Sequence, residues 1–91
     1  MMSASPSNER IFVEFEAVEG AVLRMIGLVE RRGFRIRKVA MSEQPCGRRG
    51  SLALLVAPAD PGRSVDVLAR QLGRVHGVWN VSHESALEQA A

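Results

Sequence analysis

The residue types that most often do chemistry are sparse in this chain of 91 residues. There are two histidines, His76 and His83, and one cysteine, Cys46. Neither histidine has a cysteine or carboxylate at metal-ligand spacing, apart from the weak His83–Glu84 pair. We therefore expect His76 to favour the negative end of a helix and His83 to be solvated. No base lies near Cys46 in the sequence, which predicts a reduced, unreactive thiol.

Basic residues are concentrated in one part of the chain, although the formal net charge is only +2. Four glutamates precede them, and seven cations form the segment: Arg31, Arg32, Arg35, Arg37, Lys38, Arg48 and Arg49. Proteins that bind single-stranded nucleic acid stack bases on exposed rings interleaved with basic residues. This chain has three phenylalanines and one tryptophan, with no such interleaving. The pattern favours a solvated or protein-docking basic face and argues against a nucleic acid partner.

The best candidate for ligand binding is the turn before the first predicted helix. Backbone N–H groups near Gly20, Ala21 and Val22 can hold a carboxylate, because the first turn of a helix leaves amide donors unpaired. An amino-acid pocket could form there, although every helix start has such donors. The turn carries Glu19 where acylphosphatases need an arginine-bearing phosphate loop, and it has no paired cysteines for a metal.

Two helices and four strands are predicted to position these groups. Alternation predicts a strand over residues 10–17, whose dry face is formed by Ile11, Val13, Phe15 and Ala17. Apolar residues at three-to-four spacing predict a helix between Gly20 and Gly33, with Gly33 as a left-handed stop. Residues 34–41 and 51–57 predict strands, the first with a bulge near Val39, where the alternation slips. A second helix from the N-cap Ser64 to Gly77 and a strand over residues 78–83 complete the chain.

The order β-α-β-β-α-β predicts an α+β fold: a ferredoxin-like sandwich with both helices on one face of a four-stranded antiparallel sheet. The first and third strands take the central positions, which agrees with the apolar character of residues 51–57 on both faces. The domain is expected over residues 10–83, between tails at 1–9 and 84–91. No apolar run long enough to span a membrane and no apolar leader is present, so we expect a cytoplasmic protein without a membrane partner.

One face of such a sheet has no helices over it. Phe12, Ala53 and Leu55 point at least partly toward that face, so a monomer would expose apolar surface and open strand edges. We therefore expect a homodimer or a larger assembly, formed through an edge strand or through the back of the sheet.

Three short segments match a known family. They are Arg32-Gly33-Phe34 followed by Ile36, the run Arg63-Ser64-Val65-Asp66-Val67-Leu68, and Gln71-Leu72 with Val75 and Val78 after it. On these segments, residues 10–82 resemble an ACT domain, and more narrowly the small regulatory subunit of acetolactate (acetohydroxyacid) synthase. The match is closest to the short, single-domain kind of subunit.

The resemblance implies regulation rather than catalysis. Such subunits have no cofactor of their own; they dimerise and activate a large catalytic subunit that uses thiamine diphosphate, magnesium and FAD in the branched-chain amino-acid pathway. Many relatives also bind valine at the dimer interface, against the first loop. The candidate ligand-binding residues here are Glu19, Gly20, Ala21, Val22 and Arg35. The candidate residues for docking on the catalytic subunit are Arg31, Arg37, Arg48, Arg49 and Gln71.

The chain departs from the feedback-sensitive members of this family in its first loop. Ala17 and Glu19 stand where an asparagine or aspartate and then a proline are usual, and Arg35 replaces the asparagine after the glycine-phenylalanine pair. The side chain that would hold a ligand's ammonium group is therefore missing, and we expect weak or absent valine feedback. Glu19 could replace that acceptor electrostatically, so a branched-chain amino acid stays open as a ligand.

Two further functions stay open beside the regulatory subunit. A stand-alone amino-acid-sensing ACT module serving another enzyme would have the same fold but would require a ligand. An acyl- or phosphoryl-transfer enzyme is the least supported, because no nucleophile and base occur together in the sequence.

Overall fold

The chain folds as one sheet with two helices, and a computed structural model describes its residues 8–86. The elements are β1 (Asn8–Glu16), α1 (Ala21–Arg31), β2 (Phe34–Glu43), β3 (Arg49–Pro58), α2 (Val65–Leu72) and β4 (Val78–Ala86). The strands pair antiparallel in the order β2-β3-β1-β4, so the predicted ferredoxin-like sandwich with β1 and β3 in the centre is confirmed. Most of the two predicted tails lies outside the described residues, although residues 8–9 and 84–86 belong to strands. Within 8–86, no helix is long and apolar enough to cross a bilayer.

The core lies between the sheet and the helices. Ile11, Val13 and Phe15 of β1 are buried there, as the alternation predicted. The side chains packed with them are also apolar: Leu52, Leu54, Val56, Met25, Val29, Leu68 and Leu72. Among the residues that the structure describes, no polar or charged side chain is buried. The core is therefore held by apolar burial and contains no desolvated acid or base.

The end of α1 depends on a glycine. Gly33 has a φ of 89°, which confirms the predicted left-handed stop, and its N–H donates to the Glu30 carbonyl at 3.1 Å. Phe34 follows at once in β2 and is buried, so the helix passes directly into the strand. The Gly33 carbonyl accepts a hydrogen bond from the Ala59 N–H at 2.8 Å, which joins this corner to the end of β3.

β2 contains the irregularity that the slipping alternation predicted. Its register on β3 shifts between Ile36 and Lys38, slightly before the predicted position at Val39. After the shift, Val39 and Met41 pair with buried leucines of β3 and therefore lie on the helix-facing side of the sheet. Both are about half exposed, at 48% and 50%, so the helix layer leaves this end of the sheet partly uncovered.

The second helix is shorter than predicted, and the last strand is longer. α2 ends at Leu72 rather than continuing to Gly77, because Gly73 is a poor helix former and residues 73–78 form tight turns. Val75 still packs partly buried against the core, which explains why its spacing resembled a continuing helix. β4 begins at Val78 as predicted but runs to Ala86, where it pairs with Asn8.

The opposite side of the sheet has no helix over it and is called here the open face. The strand register places Arg10, Phe12 and Glu14 of β1 on this side, because they alternate with the buried residues of the same strand. Phe12 is 40% exposed, and Ala53 and Leu55 beside it are half-buried. The apolar face expected from the sequence is therefore present in the folded chain.

Candidate functional site

The turn between β1 and α1 is built differently from the predicted carboxylate site. Gly20 has a φ of 81°, and the Ala21 N–H, predicted to be free, donates to the Val18 carbonyl at 3.1 Å. The guanidinium of Arg24 lies over the turn, with its Nη2 3.5 Å from a Cβ placed on Gly20. Arg24 was missed in the sequence, although it follows Gly20 by one helical turn. The turn therefore offers a cation beside the helix N-terminus, and Glu19 is exposed next to it.

Arg35 lies far from this turn within one chain. It pairs with Ala57 at the end of β3, whereas the turn follows Glu16, which pairs with Arg49 at the beginning of β3. The two places are therefore at opposite ends of the sheet, because β1 and β3 run antiparallel. One copy brings together Glu19, Gly20, Ala21 and Val22 but not Arg35. The five-residue amino-acid pocket stays a prediction, and it would need a second chain to supply Arg35.

The segments that carry the family resemblance meet at one corner, here called the Gly33 corner and defined by Arg32, Gly33, Arg63 and Gln71. Arg32 Nη2 donates to Gln71 Oε1 at 3.0 Å, which links the end of α1 to α2. The Arg63 side chain lies directly against Gly33, on the side where any other residue would carry its Cβ. Arg63 Nε is also 3.4 Å from Asp60 Oδ2, and a hollow of about 180 Å³ lies beside the two arginines. The corner is an exposed surface on which the two arginines outnumber the one nearby carboxylate.

The predicted docking residues divide between the two ends of the sheet. Arg31 ends α1 and Gln71 belongs to the Gly33 corner, and both are at the helix layer. Arg37 is exposed at the bulge of β2. Arg48 and Arg49 lie at the other end, in the β2–β3 hairpin, where the Arg49 guanidinium stacks 5.1 Å from the ring centre of the exposed Trp79. The sequence cluster is therefore not one continuous basic patch.

The histidines and the cysteine have structural surroundings. His83 was predicted to be solvated, but it lies on the helix-facing side of β4 and its Nε2 is 3.0 Å from Asp66 Oδ1 of α2. This prediction was wrong, because the sheet register turns His83 toward α2. His76 lies exposed in the turn after α2 rather than at a helix end. Cys46 is exposed, and its Sγ accepts the Arg48 N–H at 3.4 Å. Within the described part of the chain, no group of acidic, histidine or cysteine side chains could hold a metal ion.

The comparison with protein families agrees with this architecture. A family model described as the ACT domain matches residues 17–81. The chain belongs to the ACT domain family. ACT domains are small regulatory modules and are not catalytic. The matched range includes both helices and the whole Gly33 corner of this ACT domain.

Solved structures support the fold. The crystal structure of the ACT domain from GTP pyrophosphokinase of Chlorobium tepidum is 16% identical, with a TM-score of 0.72 over 88% of this chain and 100% of that one. An ACT domain protein from Streptococcus pneumoniae is 14% identical, with a TM-score of 0.71 over 89% and 91% of the two chains. The C-terminal domain of MgtC from Mycobacterium tuberculosis is 13% identical, with a TM-score of 0.69 over both whole chains. A search of curated proteins gives no match.

Proposed function

We propose that this ACT domain is a cytoplasmic regulatory subunit that pairs as a homodimer and activates the catalytic subunit of acetolactate synthase. The single observation that carries the proposal is the Gly33 corner. The three sequence segments that resemble the synthase's small subunit are separated in sequence, yet they contact one another there: Arg32 with Gln71, and Arg63 with Gly33. Phe34, Leu68 and Leu72 of these segments belong to the core, whereas Arg32 and Arg63 are exposed, so the arginines are the part of the resemblance that a partner protein can contact.

Charge and geometry also suit that corner for docking on a protein. Arg31 and Arg32 are exposed at the end of α1, and Arg63 lies beside them over Gly33. Arginine can bind carboxylates in a bidentate way, which makes it a frequent anchor residue in protein interfaces. In this proposal the thiamine diphosphate, magnesium and FAD belong to the catalytic subunit, and the small subunit contributes only surface contacts.

Valine feedback is proposed to be weak or absent. The Ala21 N–H already donates within the turn, and Ala17 and Glu19 replace the residues that would hold a ligand's ammonium group. Arg24 beside Gly20 could attract a carboxylate, but it adds no acceptor for the ammonium. We expect isothermal titration calorimetry with valine to give little heat.

The direct test is co-purification with the catalytic subunit, followed by synthase assays with and without this chain. We expect Arg31→Glu to reduce activation about tenfold, because a like charge at an interface opposes docking. Arg74→Glu is the matched control, since Arg74 is exposed in the turn after α2 and outside the corner. An Arg48→Glu variant tests the other predicted docking group. If the chain neither binds nor activates the catalytic subunit, the proposed function is ruled out.

The second candidate is an amino-acid-sensing ACT module that serves another enzyme. The observation that favours it is the Arg24 guanidinium over the Gly20 turn, which gives a carboxylate site without any protein partner. Calorimetry with valine, isoleucine and other amino acids separates the two functions. Binding that is lost in Arg24→Ala, without any effect on the synthase, would support the sensor.

A further inference from the structure

The open face carries a regular arrangement of side chains in three rows across the four strands. The register gives a basic row of Lys38, Leu55, Arg10 and Glu84. It gives a middle row of Ala40, Ala53, Phe12 and Ser82, and an acidic row of Ser42, Ser51, Glu14 and Asn80. The face is therefore apolar or small in its centre and carries opposite net charges on its two sides.

Phe12 stands between two hollows of this face. The larger, of about 360 Å³, lies on the acidic side, where Ser42, Ser51 and Asn80 line it. The smaller, of about 180 Å³, lies on the basic side, where Arg10, Lys38 and Leu55 line it. A partly exposed ring between two hollows can pack against the same ring of a second copy, which is the kind of self-contact that a two-fold interface requires.

We propose that the open face is the surface on which a second copy of this chain docks, with the two sheets face to face and their β1 strands antiparallel. The two-fold axis then passes beside Phe12, which packs against Phe12 of the partner subunit. The basic row of each copy faces the acidic row of the other. Arg10 therefore lies opposite Glu14 of the partner subunit, twice in the dimer.

The charges favour this orientation over the other two-fold arrangement of the same face. With β1 strands parallel, Lys38 and Glu84 of the two edge strands would face each other, but on the central strands Arg10 would be buried against an aliphatic side chain and Glu14 would face a serine. Glu14 forms no salt bridge with any residue in the described range, and Arg10 reaches Glu84 only at 3.7 Å. The antiparallel arrangement gives a partner to the two charges of the central strand β1, where burial is greatest, and leaves Lys38 and Glu84 at the edges of the face. Packed sheets usually cross at about 30°. Because Arg10 and Glu14 are each two residues from the axis at Phe12, this rotation displaces them by only about 3–4 Å, so they can still meet.

The area is sufficient for a dimer but not for a very large interface. Four strands about 4.8 Å apart and nine residues long make a face of roughly 500 Å² per copy, or about 1,000 Å² in total. This total reaches the lower limit for a specific protein interface. The proposal rests on the pairing of two copies in the proposed function, and it does not depend on which enzyme they regulate.

Sedimentation velocity across a concentration series gives the first test. We expect Phe12→Lys to weaken dimerisation about 100-fold or more, because each copy would bring a charge to an apolar contact on the axis. Leu23→Lys is the matched control, because Leu23 is also a large apolar side chain and is exposed on α1. Circular dichroism checks that both variants fold. A dimer that survives Phe12→Lys but depends on Leu23 would overturn the proposal.

A mixing experiment tests the orientation. Arg10→Glu and Glu14→Arg should each weaken the homodimer about 10- to 100-fold, because each places two like-charged pairs in the interface. When the two variants are mixed, both pairs become attractive again, so a heterodimer should form with nearly the original affinity. Glu30→Arg, on the exposed side of α1, is the control for the charge change.

The outcomes distinguish a wrong dimer interface from a wrong regulatory function. If the mixed variants stay monomeric while the unmodified chain dimerises, the antiparallel arrangement is wrong. If the unmodified chain is monomeric at hundreds of micromolar, the pairing itself is wrong. In that case activation of the synthase can still be measured, so the regulatory proposal is judged by a separate result.

Discussion

The two faces of the sheet differ although the same strand contributes to both. On β1, Phe15 points toward the helices and is 2% exposed, whereas Phe12 points to the open face and is 40% exposed. Within residues 8–86, the helix side has no charged side chain in its core, while the open face mixes apolar, small and charged residues in rows. The comparison shows that one side of the sheet forms the core, whereas the other is largely exposed to solvent.

The strongest test of this difference is Phe15→Ala. Its ring fills the helix-side core and also contacts the position of Gly50, where a Cβ would lie 3.0 Å from the ring. We expect the free energy of unfolding to fall by about 3–5 kcal/mol, since a large cavity would form. Urea denaturation measures the loss. A change below about 1 kcal/mol would mean that this face is not the structural core.

The next largest effect is expected at the junction where α1 passes into the sheet. Gly33→Ala places a Cβ on a residue with a φ of 89° and against the Arg63 side chain. We expect a loss of about 1–2 kcal/mol, mostly from the left-handed backbone. The same substitution in an Arg63→Ala background separates the two causes, because only the backbone cost remains there. If the loss disappears in that background, steric contact was its main cause.

Phe12→Ala sharpens the comparison directly, as it is the same change in the same strand. We expect a loss of only about 1 kcal/mol in monomer stability, because the ring is partly exposed and no cavity forms. Denaturation is measured at a concentration low enough to keep the chain monomeric. A loss as large as that of Phe15→Ala would contradict the distinction between the faces.

The smallest effect is expected for Asp66→Ala, which removes the contact between α2 and His83 of β4. The Asp66 side chain is 73% exposed, so the loss should be about 0.5 kcal/mol. Asp66→Asn is the control, because it keeps the shape of the side chain. Thermal unfolding of the two variants measures how much the contact of Asp66 with His83 adds to the apolar packing of α2 on the sheet.

Most of the fold could be predicted because its signals are local. The alternation of β1, the spacing of apolar residues in α1 and the glycine at position 33 each indicate their structure without distant information. The predicted end of α2 was wrong because Val75 packs against the core although the helix has already ended at Leu72. The spacing of apolar residues indicates which positions are buried, and here the buried positions extend beyond the helix into the turns that follow it.

The site was less predictable because it depends on pairing between distant segments. His83 faces Asp66 only through the register of β4 on β1, and Arg35 is separated from the Gly20 turn by the antiparallel course of the sheet. The contact of Arg63 with Gly33 joins residues 30 positions apart along the chain. The family resemblance identified both segments but could not show that they touch.

The bulge in β2 has a consequence for local stability. Beyond it, Val39 and Met41 are half exposed on one side, and Ala40 belongs to the open face on the other, so the distal part of β2 is an edge strand with little cover on either face. An edge strand with few buried apolar contacts opens more readily than the central strands beside it. Amide hydrogens there should exchange through a local opening that leaves β1 and the helices intact, ahead of cooperative unfolding. A molecule bound to the open face would slow this exchange, so the amide hydrogens in the distal part of β2 would report whether the face is occupied.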